Sequence, residues 1–469
     1  MDSRKCVCLI IPLLILVLNG CGSSYSSMSP APLPGAQAAA VTMTIRDTPP
    51  AGVTVLSLEL TVNGAVLNPG SYQLVTNPVR IEVKQLETDA AFLNTGNVPP
   101  GTYQSITVNL TNPELTILNQ SGAAIGNCAN NSVCELAPAA AGNVTFSGSP
   151  FPITIQNGAP VGFQVDINAA TLVNNALGLD FNASGAVSLT PLPLPGRPVD
   201  HLDDVDDLIG VVQNLSATNN TFTLHTANGD FSIQAGSNTE FEFENCAANN
   251  FSCLQNNMVV QVDAELMPGG ATVAKKIEFE DSDADDELVG AVFKIDDATH
   301  FEMVILGELR SVNNVNLGNP VTVTLSNPAF EVKSDGLSVP SSLQAAFTGA
   351  TDTSQLLPGQ LLEIRSSAAV MTGPPIMITT NRIRLRMSQL TATVSGAPTP
   401  PNFVVGNLPG LFTSAGITTI GVQTSSATDF EGVSAVSGLA DQNLVSLRGL
   451  LFKNGANPPA LLADKVRKR

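Results

Sequence analysis

The chain has 469 residues, 43% of them hydrophobic; at about 100–200 residues per domain this predicts three or four domains with cores of their own and excludes disorder throughout. Lys and Arg number 21 against 40 Asp and Glu, a net charge of −19 that repels nucleic-acid phosphates and anionic membrane surfaces. Only 3 His, no Trp and 13% charged residues leave few groups for acid–base, metal or nucleophilic chemistry, while 38 Gly and 32 Pro imply many turns.

Residues 1–20 read as a secretory signal. Arg4 and Lys5 precede an apolar run from Val7 to Leu18, too short for the roughly 20 residues of a bilayer-spanning helix. An uncleaved anchor is the alternative, and the short run and its flanks argue against it. The run ends in Leu18-Asn19-Gly20-Cys21, which resembles the lipobox of bacterial lipoproteins: an aliphatic residue three before the cysteine, a small one directly before it, and Cys as the first mature residue. Asn19 departs from the small or aliphatic residue usual at its position. The resemblance implies that Cys21 carries thioether-linked diacylglycerol and an amide-linked acyl chain such as palmitate, a stable multi-chain membrane anchor. Gly22 is not the Asp that retains such proteins at the inner membrane, so the resemblance implies a lipid-anchored outer-membrane protein, periplasmic or surface-exposed. Residues 21–40 are rich in Ser, Pro and Ala and form a tether.

A first module is expected over residues 41–195. It opens with Val41 to Asp47 and Thr48-Pro49-Pro50, continues into the strand-like Val53 to Val62, and later carries Pro99-Pro100-Gly101-Thr102-Tyr103 ahead of Ser105 to Leu110. With the late Gly178-Leu179-Asp180-Phe181 segment, these features resemble a transthyretin/Ig-like domain of unknown function found at the N-terminus of bacterial surface lipoproteins. The resemblance implies a β-sandwich in which Tyr103 packs back over its turn. Cys128 and Cys134, and likewise Cys246 and Cys253, form two local pairs in Asn-rich stretches. Zinc ligation would also use four thiolates, but the pairs lie more than 110 residues apart and lack the usual close spacing. In the oxidising compartment the signal implies, disulfides are expected.

After an acidic linker over residues 196–206, the chain reads as three degenerate copies of one unit: residues 207–281, 282–387 and 388–469. The opening strands are Asp207-Leu208-Ile209-Gly210, Glu287-Leu288-Val289-Gly290 and, more weakly, Gln389-Leu390-Thr391-Ala392. Middle markers follow at Phe241-Glu242, Phe330-Glu331 and Phe430-Glu431, then strands at Met258 to Val262, Gln360 to Ile364 and Asn443 to Leu447. The copies close on Lys276-Ile277-Glu278, Arg382-Ile383-Arg384 and Lys465-Val466-Arg467. Period-two alternation prevails, and no segment keeps a helical period beyond about ten residues. The order resembles an uncharacterised bacterial family of tandem small OB-like barrels. The expected fold class is therefore all-β: an Ig/transthyretin-like sandwich followed by three degenerate small antiparallel β-barrel repeats, packed independently of one another.

Little chemistry is expected of these modules. Acidic clusters occupy the joints, and Asp281, Asp283 and Asp285 superficially match the start of an EF-hand, but its sixth and twelfth positions hold Asp286 and Val292 instead of Gly and Glu. No cofactor is assigned; Ca²⁺ at that joint is the one candidate, against the plainer reading of a solvated, self-repelling linker. His201, His225 and His300 belong to no catalytic motif. Arg382, Arg384 and Arg386 make a one-faced basic stripe expected to face solvent, and nucleic acid is not expected as a partner. With Phe 19 against Tyr 3 and no Trp, the aromatics look like core material and not a sugar platform. The reading is a lipid-anchored, non-enzymatic envelope protein whose β-modules bind an envelope protein or glycan, or act as spacers. The alternative is an accessory subunit or domain of an extracytoplasmic enzyme or glycan-binding system.

Overall fold

The computed structural model describes residues 39–48, 54–88, 90–120, 122–125, 127–138, 143–158, 161–173, 178–192, 203–226, 229–243, 246–267, 272–279, 286–308, 315–366 and 375–469. Within them the period-two pattern folds as strands, and the all-β class holds. The first module contains β1 (Ala39–Thr48), β2 (Thr54–Asn68), β3 (Tyr72–Val75), β4 (Val79–Glu82), β5 (Ala91–Val98) and β6 (Gly101–Tyr103). It continues with β7 (Ser105–Leu118), β8 (Val133–Leu136), β9 (Val144–Phe146), β10 (Ile153–Ile155), β11 (Val161–Asn168), a single helical turn α1 (Ala169–Leu172) and β12 (Val187–Leu192). One sheet runs β12-β11-β1-β5, with β1 and β11 parallel. The other runs β3-β2-β7-β8, with β4 and β9 alongside β2 and β7. Between them lies a core that includes Leu58, Leu60, Phe163 and Phe181. The Tyr103 hydroxyl donates to the Pro99 carbonyl at 2.6 Å, so the ring does fold back over its turn.

The second module is a closed five-stranded barrel of β13 (Asp203–Ser216), β14 (Thr221–Thr226), β15 (Gly229–Glu242), β16 (Val259–Leu266) and β17 (Thr272–Phe279). Its order is β13-β14-β15-β17-β16 and back to β13, with β15 and β17 parallel. The next barrel repeats it with β18 (Asp286–Ile295), β19 (His300–Glu308), β20 (Pro320–Val332), β21 (Leu361–Ser366) and the first half of β22 (Ile376–Val394). The last uses the second half of β22 with β23 (Asn402–Gly406), β24 (Ile420–Gln423), β25 (Asp429–Glu431), β26 (Leu444–Asn454) and β27 (Asn457–Lys468). Short helices α2 (Ser341–Thr348) and α3 (Gly410–Ser414) sit in the connections. Each expected antiparallel barrel thus closes through parallel pairing onto its last strand, from the third strand in the first two barrels and from both β24 and β25 in the last.

The repeated sequence markers occupy equivalent rungs. Phe241, Phe330 and Phe430 lie opposite Ile277, Ile383 and Val466 on the closing strand. On the second strand Phe222, Phe301 and Phe403 are buried opposite Ile233, Val323 and Val422. Gly210 and Gly290 share another rung for a steric reason. A Cβ on them would lie 2.5 Å from the His225 carbonyl oxygen and 2.4 Å from that of Val304, distances real side chains do not adopt.

Two features depart from a string of independent units. First, residues 387 and 388 lie inside β22, which pairs with β21 through Arg386 and with β26 from Met387 onward, so one strand serves two barrels. Second, Leu56, Leu118 and Val133 of the sandwich join a hydrophobic cluster with Phe293, Val304 and Leu306 of the second barrel and Leu447 of the third. Polar contacts add to that seam: Thr116 Oγ1 donates to the Gly318 carbonyl at 2.6 Å, and Gln389 Nε2 to the Gln85 carbonyl at 2.7 Å. The first barrel keeps a separate core around Val212, Phe222, Leu224 and Val262. The disulfides Cys128–Cys134 and Cys246–Cys253 are both formed; the first ties the β7–β8 connection and the second the β15–β16 connection.

A Leu56→Ala substitution should destabilise the sandwich and the last two barrels together, by about 2–5 kcal/mol in denaturant unfolding. A loss confined to a separate sandwich transition would contradict the shared cluster.

Candidate functional site

Of the residues singled out above, Cys21, Asp281, Asp283, Asp285 and His201 lie outside the described residues. Among the described residues, no group of three or more His, Cys, Asp or Glu side chains is placed to hold a metal ion. His225 pairs with Asp230 at 2.5 Å and His300 with Asp297 at 2.9 Å, two separate exposed pairs.

The arginine stripe does not face solvent. Ile383 and Leu385 point into the second barrel, which turns Arg382, Arg384 and Arg386 to its outside, where they converge on Glu363 of the neighbouring β21. Arg386 Nη1 reaches Glu363 Oε2 at 2.7 Å, and Arg382 and Arg384 reach Oε1 at 3.1 Å each. Burial pushes the Glu363 carboxyl up, but the three guanidiniums outweigh it and hold the pKa below the ordinary value. Gln261 of the first barrel then accepts from Arg386 Nη2 at 3.0 Å and from Lys333 Nζ at 2.6 Å. Lys333 also pairs with Glu278 of the first barrel at 3.0 Å. The stripe is therefore paired within the second barrel, and its Arg386 borders, through Gln261, a seam with the first barrel whose ion pairs are Lys333–Glu278 and Lys276–Asp335. Alternation in the sequence places its residues on one face but carries no sign of what covers that face.

Glu82 is a second buried acid. Its carboxylate accepts from Ser57 Oγ at 2.5 Å, the Leu58 amide at 2.9 Å and the Lys84 amide at 3.0 Å, inside the sandwich edge that meets the second barrel. Burial dominates these hydrogen bonds and pushes the pKa up to about 7.

Among the described residues, a cleft that can admit a ligand lies on the third barrel. It encloses about 360 Å³, within the range of small-molecule sites. Its floor is the outer face of β23 and β24, where Asn402 lies opposite Gln423 and Val404 opposite Gly421. Ser395 and Thr399 of the β22–β23 connection form one rim. The opposite wall is the β26–β27 hairpin, contributing Asn454, Asn457, Pro458 and Pro459. Gly455, with φ of 59°, lets this hairpin turn in two residues between Asn454 and Asn457. No ionisable side chain lines the cleft. Sequence reasoning missed it because its residues come from three separated segments; the signal within reach was the Asn-Gly turn.

Removing the charge of Glu82 tests the burial assigned to it. A carboxyl raised from 4.5 to about 7 adds stability that is complete below the lower value and lost as pH rises through the higher one. Between about pH 5 and about pH 8 the wild-type protein should lose about 3 kcal/mol more than Glu82→Gln in urea titrations. Parallel pH profiles would contradict it.

Comparison with known families finds that residues 209–278, which span nearly all of the first barrel, match a domain of unknown function, DUF5666. No curated protein matches the chain. The chain is thus an all-β protein whose first barrel is similar to a domain of unknown function, DUF5666.

Proposed function

We propose that the chain is a lipid-anchored, non-catalytic protein of the cell envelope that presents the third-barrel cleft to a neutral polar ligand. One observation carries this reading: side-chain amides and hydroxyls line the cleft, and no lining group is ionisable. Such a surface exchanges hydrogen bonds with a ligand but supplies neither a general base nor a charged electrophile to transform it. Among the described residues, Glu363 with its three arginines and Glu278 with Lys333 are engaged in ion pairs away from this cleft.

The anchor completes the reading. Leu18-Asn19-Gly20-Cys21 supplies the lipidation signal, and the Ser, Pro and Ala-rich tether of residues 21–40 holds the folded modules clear of the lipid. The second and third barrels and the sandwich, locked by β22 and a shared hydrophobic cluster, suit a body that keeps its cleft at a set place. Within this reading the outer membrane is the site of action, with the modules periplasmic or surface-exposed.

Expressed in a lipoprotein-processing bacterium, Cys21→Ser should move the protein from the membrane to the soluble fraction while leaving both disulfides and the melting temperature unchanged. Continued membrane fractionation of Cys21→Ser would contradict the anchor.

A further inference from the structure

We propose that the Lys333 amine and the Gln261 carboxamide are the two ends of a self-formed amide cross-link between the first two barrels, with Glu278 as the proton carrier. The seam shares no residue with the third-barrel cleft, so the bond forms whatever that cleft takes.

Each barrel contributes two of the residues. On the first, β16 and β17 send Val262 and Ile277 into the core, so Gln261 and Glu278, directly opposite each other in the same ladder, both point outward. On the second, the Lys333 amide donates to the Leu385 carbonyl at 3.0 Å, which sets Lys333 beside Arg386. The fold brings the two pairs together although Gln261 and Lys333 are 72 positions apart, and Gln261, Lys333 and Arg386 are each less than one-tenth exposed. Neither end recurs in the other copies. At the position of Gln261 they carry Glu363 and Ser446; at that of Lys333, three residues past the marker phenylalanine, they carry Glu244 and Val433.

The contacts supply a nucleophile, a base and an oxyanion donor at one carboxamide. Lys333 Nζ lies 2.6 Å from Gln261 Oε1, and a carbonyl bond of about 1.2 Å puts the amide carbon no more than about 3.8 Å from the amine. A small turn of either side chain brings the two into the attack range of about 3–3.5 Å. Glu278 Oε2 is 3.0 Å from the same nitrogen and is placed to take its proton. Arg386 Nη2 donates to Gln261 Oε1 at 3.0 Å, which polarises the carbonyl and meets the negative charge that gathers on its oxygen. Lys333 gives a proton to Glu278, and its freed lone pair forms the Nζ–Cδ bond as the carbonyl electrons move onto Oε1. Glu278 passes that proton to Nε2 and takes a second from Nζ. The carbonyl re-forms, the Cδ–Nε2 bond breaks with its electron pair, and the departing ammonia takes the proton from Glu278 and leaves as ammonium. Nothing is oxidised or reduced, and burial keeps water, the competing nucleophile, from the carbonyl. The bond fixes to the rest of the molecule the barrel that keeps a separate core.

Mass spectrometry of tryptic digests of the denatured, reduced full chain tests the bond. Wild type should give a branched peptide joining Gln261 to Lys333, lighter by one ammonia than its two linear parts, with no cleavage after Lys333. Glu278→Gln, refolded alongside, should form that peptide at least about a hundredfold more slowly. Lys333→Arg keeps a cation at the seam but should form no branch and should melt below the wild type. Only linear peptides from the wild type would overturn the cross-link and leave a hydrogen-bonded seam; this digest needs no variant to fold, so it decides the bond alone. A branched peptide formed at the wild-type rate in Glu278→Gln would keep the bond and overturn Glu278 as its proton carrier.

Discussion

The assembly depends on the continuity of β22. Its nineteen residues close the second barrel by pairing with β20 and β21, then open the third by pairing with β26 and β23, with no unpaired residue at the changeover. Arg386 pairs with Leu361 and the next residue, Met387, with Leu450, so the strand passes from one ladder to the other in a single step. Backbone pairing of this kind leaves no linker through which the two barrels could bend. The sandwich, first in the chain, then seats on both barrels instead of on its sequence neighbour, through Leu56, Leu118 and Val133.

The first barrel is held differently. It keeps its own core and meets the second through Gln261, Glu278 and Lys276, facing Arg386, Lys333 and Asp335. Buried charges of this kind contribute little net stability compared with apolar packing, because desolvation offsets most of the attraction, but an unpartnered member is very costly. The seam therefore tolerates one arrangement and penalises slippage. Glu363 and Glu82 also respond to pH in opposite senses: three arginines lower the first, and burial without a cation raises the second. The folded state accordingly loses stability at Glu82 as pH rises through neutrality and at Glu363 as pH falls into the acid range.

Much of this architecture was legible in the sequence. The repeat markers emerged because each copy needs a phenylalanine opposite a branched aliphatic residue at the parallel rung, as with Phe241 and Ile277 or Phe430 and Val466, and that demand recurs at the same spacing. The cysteine pairs were legible because only a few residues separate their members. The shared strand was not read, although Ile376 to Val394 contains neither Gly nor Pro, because a repeat alignment presumes a boundary between copies. The burial of Arg382, Arg384 and Arg386 depends on carboxylates and a glutamine from other strands, which no local pattern announces. The cleft was hidden for a related reason: its floor and walls come together only once the register of β23 against β24 is known.

Amide hydrogen exchange along β22, followed on the intact protein, addresses the central claim most directly. One ladder running through two barrels requires the amides of Arg386 to Gln389 to exchange as slowly as those of Ile383 to Leu385 and Leu390 to Ala392, all opening with the same large unfolding. Fast exchange confined to Arg386 to Gln389, flanked by protected segments, would mean a hinge between two separate barrels and would contradict the rigid assembly on which the placement of the cleft rests.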